Sequence, residues 1–365
     1  MKTIVYFFAI FLIISACQKD ELTEFQPDNP NIRYSGRMDW KNEKPVLISS
    51  ASFVELSFSG DSCIIKMQNQ NPDGLHNYIS MELDGEYLGR MKIEGDDMQE
   101  YTITATKPDS HHHLKIFKET EAQNGQVIFG GVKCNSLNEL PSLPGKKIEF
   151  IGNSITCGMG ADLEAIPCDA GVWYDQHNAY LAYGPRIART LDAQFILSSV
   201  SGIGIYRNWN SNGPVMPDVY ENTYLNTNTS IKWDFDKFMP DLVSICLGTN
   251  DFSDGDGINE RLPFDSANYV SRYISFLKDI HQKYPKAQVC LLSSPMLSGE
   301  KADLLASCLN SIKEYLAAND PEMKPIAVYH FQTVVPHGCG YHPDINDHAE
   351  MAEELLPFYK EVMGW

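Results

Sequence analysis

Four short polar segments, each placed where an apolar run or the loop following it ends, carry residue types that together suit nucleophilic attack on an acyl group. Gly152-Asn153-Ser154-Ile155-Thr156 closes the run Lys147–Gly152. A serine there stands at the mouth of a sheet, with its own N–H free to donate. Ser201-Gly202-Ile203-Gly204 follows Phe195–Val200. Glycine permits close backbone approach, so its N–H can reach a ligand. Gly248-Thr249-Asn250-Asp251 follows Leu242–Leu247, and an asparagine amide can donate to a developing oxyanion. Gly340-Tyr341-His342-Pro343 follows Ile326–Phe331, and a histidine there can take the proton of a serine. Singly, each segment has a plain structural reading. The glycines can merely turn the chain, Asn250 and Asp251 can cap a helix or fill a turn, and His342 can be an ordinary loop histidine. Together they fall at one edge of one sheet, and that convergence points to a site.

The elements that must position them change period along the chain. From Pro144, five apolar runs (the four above and Gln288–Ser293) alternate with helical stretches at 178–192, 265–283, 301–318 and 345–362. Gly184-Pro185 interrupts the first of these helices. Such alternation predicts a parallel five-stranded sheet covered on both faces. Sheets of that kind place their sites at the carboxyl ends of the strands. The stretch 207–234 lacks periodicity and carries Trp209, Tyr220, Tyr224 and Trp233, which reads as a functional loop rather than core. From Asn31 to Asn138 the period is two. Val54, Leu56 and Phe58 alternate with Glu55 and Ser57, and Asp84-Gly85 between two such runs is a hairpin signal. The expectation is a β-sandwich or jelly roll. His111, His112 and His113 invite a metal, but adjacent residues point alternately and follow a Pro-Asp-Ser turn. They are expected in a solvent-exposed loop.

The chain has 365 residues, 43% hydrophobic and 21% charged, with a formal net charge of −19. It is long enough for a sizeable core. The acidic excess argues against a nucleic-acid backbone or an anionic membrane surface as partner. Lys2 precedes the apolar run Ile4–Ile14, the length of a signal-peptide core and too short to span a bilayer. Ile14-Ser15-Ala16-Cys17 resembles a bacterial lipobox, which implies removal of residues 1–16 and lipidation of Cys17. Gln18-Lys19-Asp20-Glu21 is similar to the surface-export signal of Bacteroidetes-type lipoproteins. Residues 17–30 then read as a lipidated tether, 31–143 as the β domain and 144–365 as the α/β domain. The expected location is the outer membrane, facing out, with attachment only through the lipid. No Cys-x-x-Cys pair is present among the nine cysteines, which disfavours a zinc site or a thiol redox motif. Cys246 and Cys290 read as buried hydrophobes, and Cys157 and Cys168 bracket a loop across which they can pair in an oxidising compartment.

The order of the four segments resembles the SGNH (GDSL-like) hydrolase superfamily, with its blocks on Ser154, Gly202, Asn250 and His342. The variant after the serine, the Gly-Thr-Asn-Asp block and the late Gly-Tyr-His-Pro are most similar to carbohydrate esterase family 2. That family also carries an N-terminal jelly roll. The resemblance implies an SGNH-type α/β/α sandwich and a carboxylic ester hydrolase that removes O-acetyl groups from polysaccharides or oligosaccharides. Position 6 of a hexosyl unit is the implied target. It further implies Ser154 as nucleophile, His342 as general base, and the Ser154 N–H, the Gly202 N–H and the Asn250 amide as oxyanion hole. No metal or organic cofactor is required. Two departures stand out: Asn153 replaces the usual aspartate before the serine, and Cys339 and Gly340 occupy positions where relatives often carry an aspartate before the histidine. A Ser–His dyad with a backbone carbonyl orienting the imidazole is therefore expected. Asp344 and Asp347 are read as helix caps rather than a third catalytic member. Trp173, Tyr174, Trp209, Trp233 and Tyr341 are expected to provide sugar-stacking platforms. Competing readings are a lipase, thioesterase or sialate O-acetylesterase, and a catalytically degenerate surface protein that binds glycans. The β domain is read as a brace for the site, and glycan binding by it is left open.

Overall fold

The computed structural model describes residues 22–365 apart from 72, 106, 108–110 and 259. The expected signal segment 1–16 and the expected lipidation site Cys17 lie outside the described residues. No described helix is long and apolar enough to cross a membrane.

The N-terminal half is two antiparallel sheets face to face. One runs Met38–Lys41, Lys44–Leu47, Gln126–Cys134, Ser62–Gln70, Gln99–Thr104, and the other Ser136–Asn138, Phe53–Ser59, His111–Lys118, His76–Leu83, Glu86–Glu94. Alternate residues Val54, Leu56, Phe58, Ile79, Met81 and Leu83 point into the shared core. Asp84 and Gly85 join two paired strands with φ of +55° and +85°, the two left-handed residues of a tight hairpin turn. Part of the segment 17–30, read as a tether, is strand. Thr23–Phe25 already pairs with Gln126–Cys134, because Gly131 leaves room for the Phe25 carbonyl, which a Cβ there would meet at 2.4 Å. A three-residue strand with one apolar side chain leaves little periodic signal.

The histidine triplet is the start of the strand His111–Lys118, not an exposed loop. Alternation along the strand separates its members. His112 is buried, with Nδ1 on Asp84 (2.7 Å) and Nε2 on the Lys107 carbonyl (2.8 Å), whereas His113 meets Glu55 on the other face.

Beyond Pro144 a parallel sheet runs in the order Ala193–Ser199, Lys146–Gly152, Leu242–Cys246, Gln288–Leu292, Ala327–Tyr329. Helices Tyr183–Thr190, Ser266–Lys283, Gly299–Asn319 and Ile345–Met363 accompany it. The first helix starts only at Tyr183, so residues 178–182 are loop; Pro185 then falls in its first turn, where no intrahelical N–H is lost.

The two halves share a core. Ala51 and Phe117 of the β half pack with Ile148, Phe150 and Tyr180 of the α/β half. Arg37 is fully buried and enters the α/β half. Its guanidinium donates to Ser198 Oγ (2.9 Å) and to the Tyr220 and Asn222 carbonyls (2.8 and 3.1 Å). It lies over the rings of Tyr220 and Trp233.

Candidate active site

Ser154 opens a single helical turn, Ser154–Cys157, directly after the strand Lys146–Gly152. As the first helical residue it has an N–H without an intrahelical partner. Gly152 is required there, because a Cβ would meet Thr156 Oγ1 at 2.0 Å. Asn153 is the N-cap, its Oδ1 accepting from the Ile155 N–H at 3.1 Å. The departure from aspartate at this position thus falls on a capping residue, not on a reacting one.

The loops after the neighbouring strands are tied to this one. Gly152 pairs with Ser199 on one side and Cys246 on the other, and the Val200 N–H donates to the Gly152 carbonyl. Gly202 has φ +78°, and a Cβ on it would meet Trp209 at 2.7 Å. One Asn250 amide hydrogen goes to the Ile203 carbonyl (2.8 Å), leaving the second. Asp251 is buried beneath and gathers the N–H groups of Ile205 (3.0 Å), Tyr206 (2.9 Å) and Arg207 (3.3 Å). Burial pushes its carboxyl up to about 6 despite those donors.

His342 completes the arrangement. Its Nε2 is 2.7 Å from Ser154 Oγ and its Nδ1 is 2.8 Å from the Gly340 carbonyl. With Nδ1 donating to a carbonyl, Nε2 is left as the acceptor for the serine hydroxyl. Gly340 and Tyr341 both have left-handed φ, +61° and +63°, and this winding brings the carbonyl under the ring. Burial holds the imidazole below its usual pKa, against the opposing pull of the Gly340 hydrogen bond. It is therefore neutral near pH 7 and able to accept a proton.

Asp344 caps the last helix, accepting from Asn346 and Asp347 N–H at 2.8 Å each. Asp347 accepts from the Asp344 and His337 N–H groups and from His337 Nδ1. Among the described residues, no carboxylate hydrogen-bonds to His342.

The disulfide differs from the pair considered above. Cys168 bonds to Cys339, while Cys157 is free and buried. Cys157 ends the helical turn Ser154–Cys157 and donates to Ser199 Oγ, whereas Cys339 shares the loop of His342. Cys246 and Cys290 are buried thiols, each pushed up to about 12 by burial.

The aromatic residues divide. Trp173, Trp209 and Tyr341 are exposed, by 47%, 42% and 87%. Trp233 is buried because it covers the Arg37 guanidinium, so it offers no face to a sugar. Tyr174 is buried against His76 and His177, with its hydroxyl on Asn71. The stretch 207–234 is therefore partly core: Tyr220 and Trp233 point in and Trp209 points out. Sequence reasoning passed over Arg37 and Glu121. Glu121 has only the signal of a charge after an apolar run, and Arg37, in a polar stretch, has none.

The N-terminal half, residues 34–144, matches the family description "Carbohydrate esterase 2 N-terminal", and residues 150–336 match the GDSL-like lipase/acylhydrolase family. An acetylxylan esterase/glucomannan deacetylase of Cellvibrio japonicus is 30% identical over 92% of this chain and 90% of its own length. A cellulase/esterase of Acetivibrio thermocellus is 30% identical over 93% of this chain, which spans only 40% of that relative. The solved family two carbohydrate esterase of Clostridium thermocellum, in complex with cellohexaose, superposes with a TM-score of 0.81 at 29% identity, covering 92% of this chain and 99% of the other. That of Cellvibrio japonicus gives 0.82 at 26% identity, covering 94% and 98%. A jelly roll sharing its core with a GDSL-type α/β half, matched along nearly the whole described length, makes this chain a member of carbohydrate esterase family 2 and a carbohydrate esterase.

Proposed function

We propose that the chain deacetylates a β-linked polysaccharide outside the cell, favouring 6-O-acetyl hexosyl units, by a Ser154–His342 dyad. The carrying observation is the bonding of His342, with Nε2 on Ser154 Oγ and Nδ1 on a backbone carbonyl. In the reaction, the Ser154 Oγ–H proton passes to Nε2 as the Oγ–C bond forms. The carbonyl oxygen becomes an oxyanion, facing the Ser154 N–H, the Gly202 N–H and the Asn250 amide. Collapse breaks the bond to the sugar oxygen, which takes the proton from His342. Water then attacks the acetyl-serine with His342 again as base, releasing acetate and restoring Ser154. Every proton and bond is accounted for by these two side chains and water.

The Gly340 carbonyl replaces the third member of a triad. It fixes the tautomer and orientation but adds no negative charge beside the imidazolium. Trp173, Trp209 and Tyr341 are the exposed aromatic faces suited to sugar rings. Tyr341 adopts a left-handed backbone that costs a side-chain-bearing residue roughly 1–2 kcal/mol, and strain of this kind concentrates at functional sites. A cleft of about 270 Å³ borders Gly202 and Trp209 and is also lined by Gln123 of the β half. The cellohexaose bound by a similar enzyme supports a β-linked backbone. Lipidation at Cys17 and display at the cell surface rest on the lipobox-like segment, and the Cys168–Cys339 disulfide suits an oxidising exterior.

The test is acetate release from acetylated glucomannan, xylan and cello-oligosaccharides by wild type beside Ser154→Ala. Release from 6-O-acetyl hexosyl substrates that vanishes in the variant is expected. Glycan binding without release by wild type would refute the reading.

A further inference from the structure

The strand His111–Lys118 runs into a segment, Lys118–Glu121, that is completely buried. Three of these four residues carry ionisable groups. Charges so placed are tolerated only with partners, and each has them. Lys118 Nζ donates to the Thr120 and Glu121 carbonyls (2.7 and 2.8 Å). Glu119 accepts from Ser80 Oγ and from the Tyr180 N–H (3.0 Å). Glu121 crosses into the α/β half. One of its oxygens accepts from His177 Nε2 at 2.9 Å and from Ser201 Oγ. The other accepts from the Ser201 N–H at 2.7 Å and from Gln123 Nε2 at 3.0 Å.

Burial raises the pKa of Glu121, but the donors on His177 and Ser201 outweigh it and hold the carboxyl below its usual range. It is an ionised acceptor at neutral pH. Ser201 precedes Gly202 in a turn closed by the Ile203 N–H on the Val200 carbonyl. The Gly202 N–H belongs to the Ser201–Gly202 peptide. A single carboxylate that grips Ser201 by both its N–H and its hydroxyl therefore fixes the residue whose far peptide carries that donor. Asp251 anchors the same loop further on, at Ile205 to Arg207, from within the α/β half.

We propose that Glu121, supplied by the β half, is a positioning residue that sets the Gly202 N–H for the oxyanion. The inference rests on the reading of Gly202 as an oxyanion donor. Its test compares kcat and KM on nitrophenyl acetate and on an acetylated oligosaccharide for wild type, Glu121→Gln, Ser201→Ala and Asn250→Ala. Oligosaccharide affinity is measured separately in a Ser154→Ala background, with and without Glu121→Gln. Glutamine keeps the size but puts an NH2 against donors. The expected result is a roughly ten- to hundredfold lower kcat, with KM and oligosaccharide affinity within about twofold of wild type. Ser201→Ala removes one of the two contacts and carries the test if the glutamine variant does not fold; a several-fold lower kcat at unchanged KM is expected.

Wild-type kcat in either folded variant, or a loss confined to KM, overturns the inference. If Asn250→Ala is impaired in that case, the oxyanion reading survives and only the role of Glu121 falls. If Asn250→Ala also keeps wild-type kcat, the oxyanion reading itself fails.

Discussion

Removing the Cys168–Cys339 bond should loosen the molecule by an amount that chain entropy sets. The two cysteines lie 171 residues apart. In the loop-closure treatment, releasing a cross-link of that span returns about 17 cal/mol/K to the unfolded chain, or about 5 kcal/mol at 25 °C. Spread over a chain whose unfolding entropy is about 2.1 cal/mol/K per residue, this corresponds to a melting point lower by roughly 6–7 °C. The figure is a ceiling, since residual structure in the unfolded chain reduces it. The assay is calorimetry of wild type with and without a phosphine reductant, beside Cys168→Ser/Cys339→Ser. Reduced wild type and the double variant should melt together, below oxidised wild type, and the variant should ignore the reductant. Below the transition, activity should fall several-fold, because Cys339 lies three residues before His342. The loop then depends on the Cys339 N–H to Gly160 carbonyl bond (2.9 Å) and the Gly338 N–H to His342 carbonyl bond (2.8 Å). Melting of reduced and oxidised wild type within about 1 °C of one another would refute the entropy reasoning.

Three further outcomes are expected. Asn250→Ala should lower kcat by about 10²–10³, together with a smaller loss of stability from the freed Ile203 carbonyl; steady-state kinetics with unchanged kcat would remove Asn250 from the oxyanion hole. The acid limb of kcat/KM should lie below the ordinary histidine value of about 6.5, since burial lowers the pKa of His342 and only the neutral imidazole accepts the serine proton. Activity is then complete above that limb and lost as pH falls through it, and a limb above about 7 in a pH–rate profile would contradict the assignment. Arg37→Met should destabilise by about 3–5 kcal/mol, because Glu149 loses its buried counter-charge; a urea titration showing less than about 1 kcal/mol would mean that the Tyr220 and Ser198 hydroxyls on Glu149 suffice.

The residues proposed to react were legible in the sequence through their places at strand and loop ends. Gly-x-Ser, Ser-Gly and Gly-Thr-Asn directly follow strands and so put a polar residue where a parallel sheet opens, whereas Gly-Tyr-His ends the longer loop after the three-residue strand Ala327–Tyr329, just before the last helix. Asp344 could be taken as a cap because it sits directly before a periodic helix. The supporting residues gave no such signal. Glu121 ends a run of charges after an apolar strand, which in sequence looks like a solvated turn. Arg37 lies in a polar stretch between two short strands. Both acquire meaning only when the second half of the chain closes over them. Trp233 misled for the same reason: an aromatic residue in an aperiodic stretch suggests a binding face until a buried cation is found beneath it. The partner of Cys168 was equally hidden, since proximity across 171 residues has no local trace.

The sharing of one core between the halves bears on how catalytic competence arises. Ser154 and His342 are 188 residues apart, Glu121 grips Ser201 across 80, and Arg37 reaches its acceptors across 161 to 185. Contacts between such distant positions form late, after local elements are in place, because loop closure must precede their reward. The working centre has no local nucleus of its own and exists only in the finished topology. The four residues of the proposed centre all belong to the α/β half, so hydrolysis reports on completed closure of that half, with the β half contributing Glu121 against Ser201.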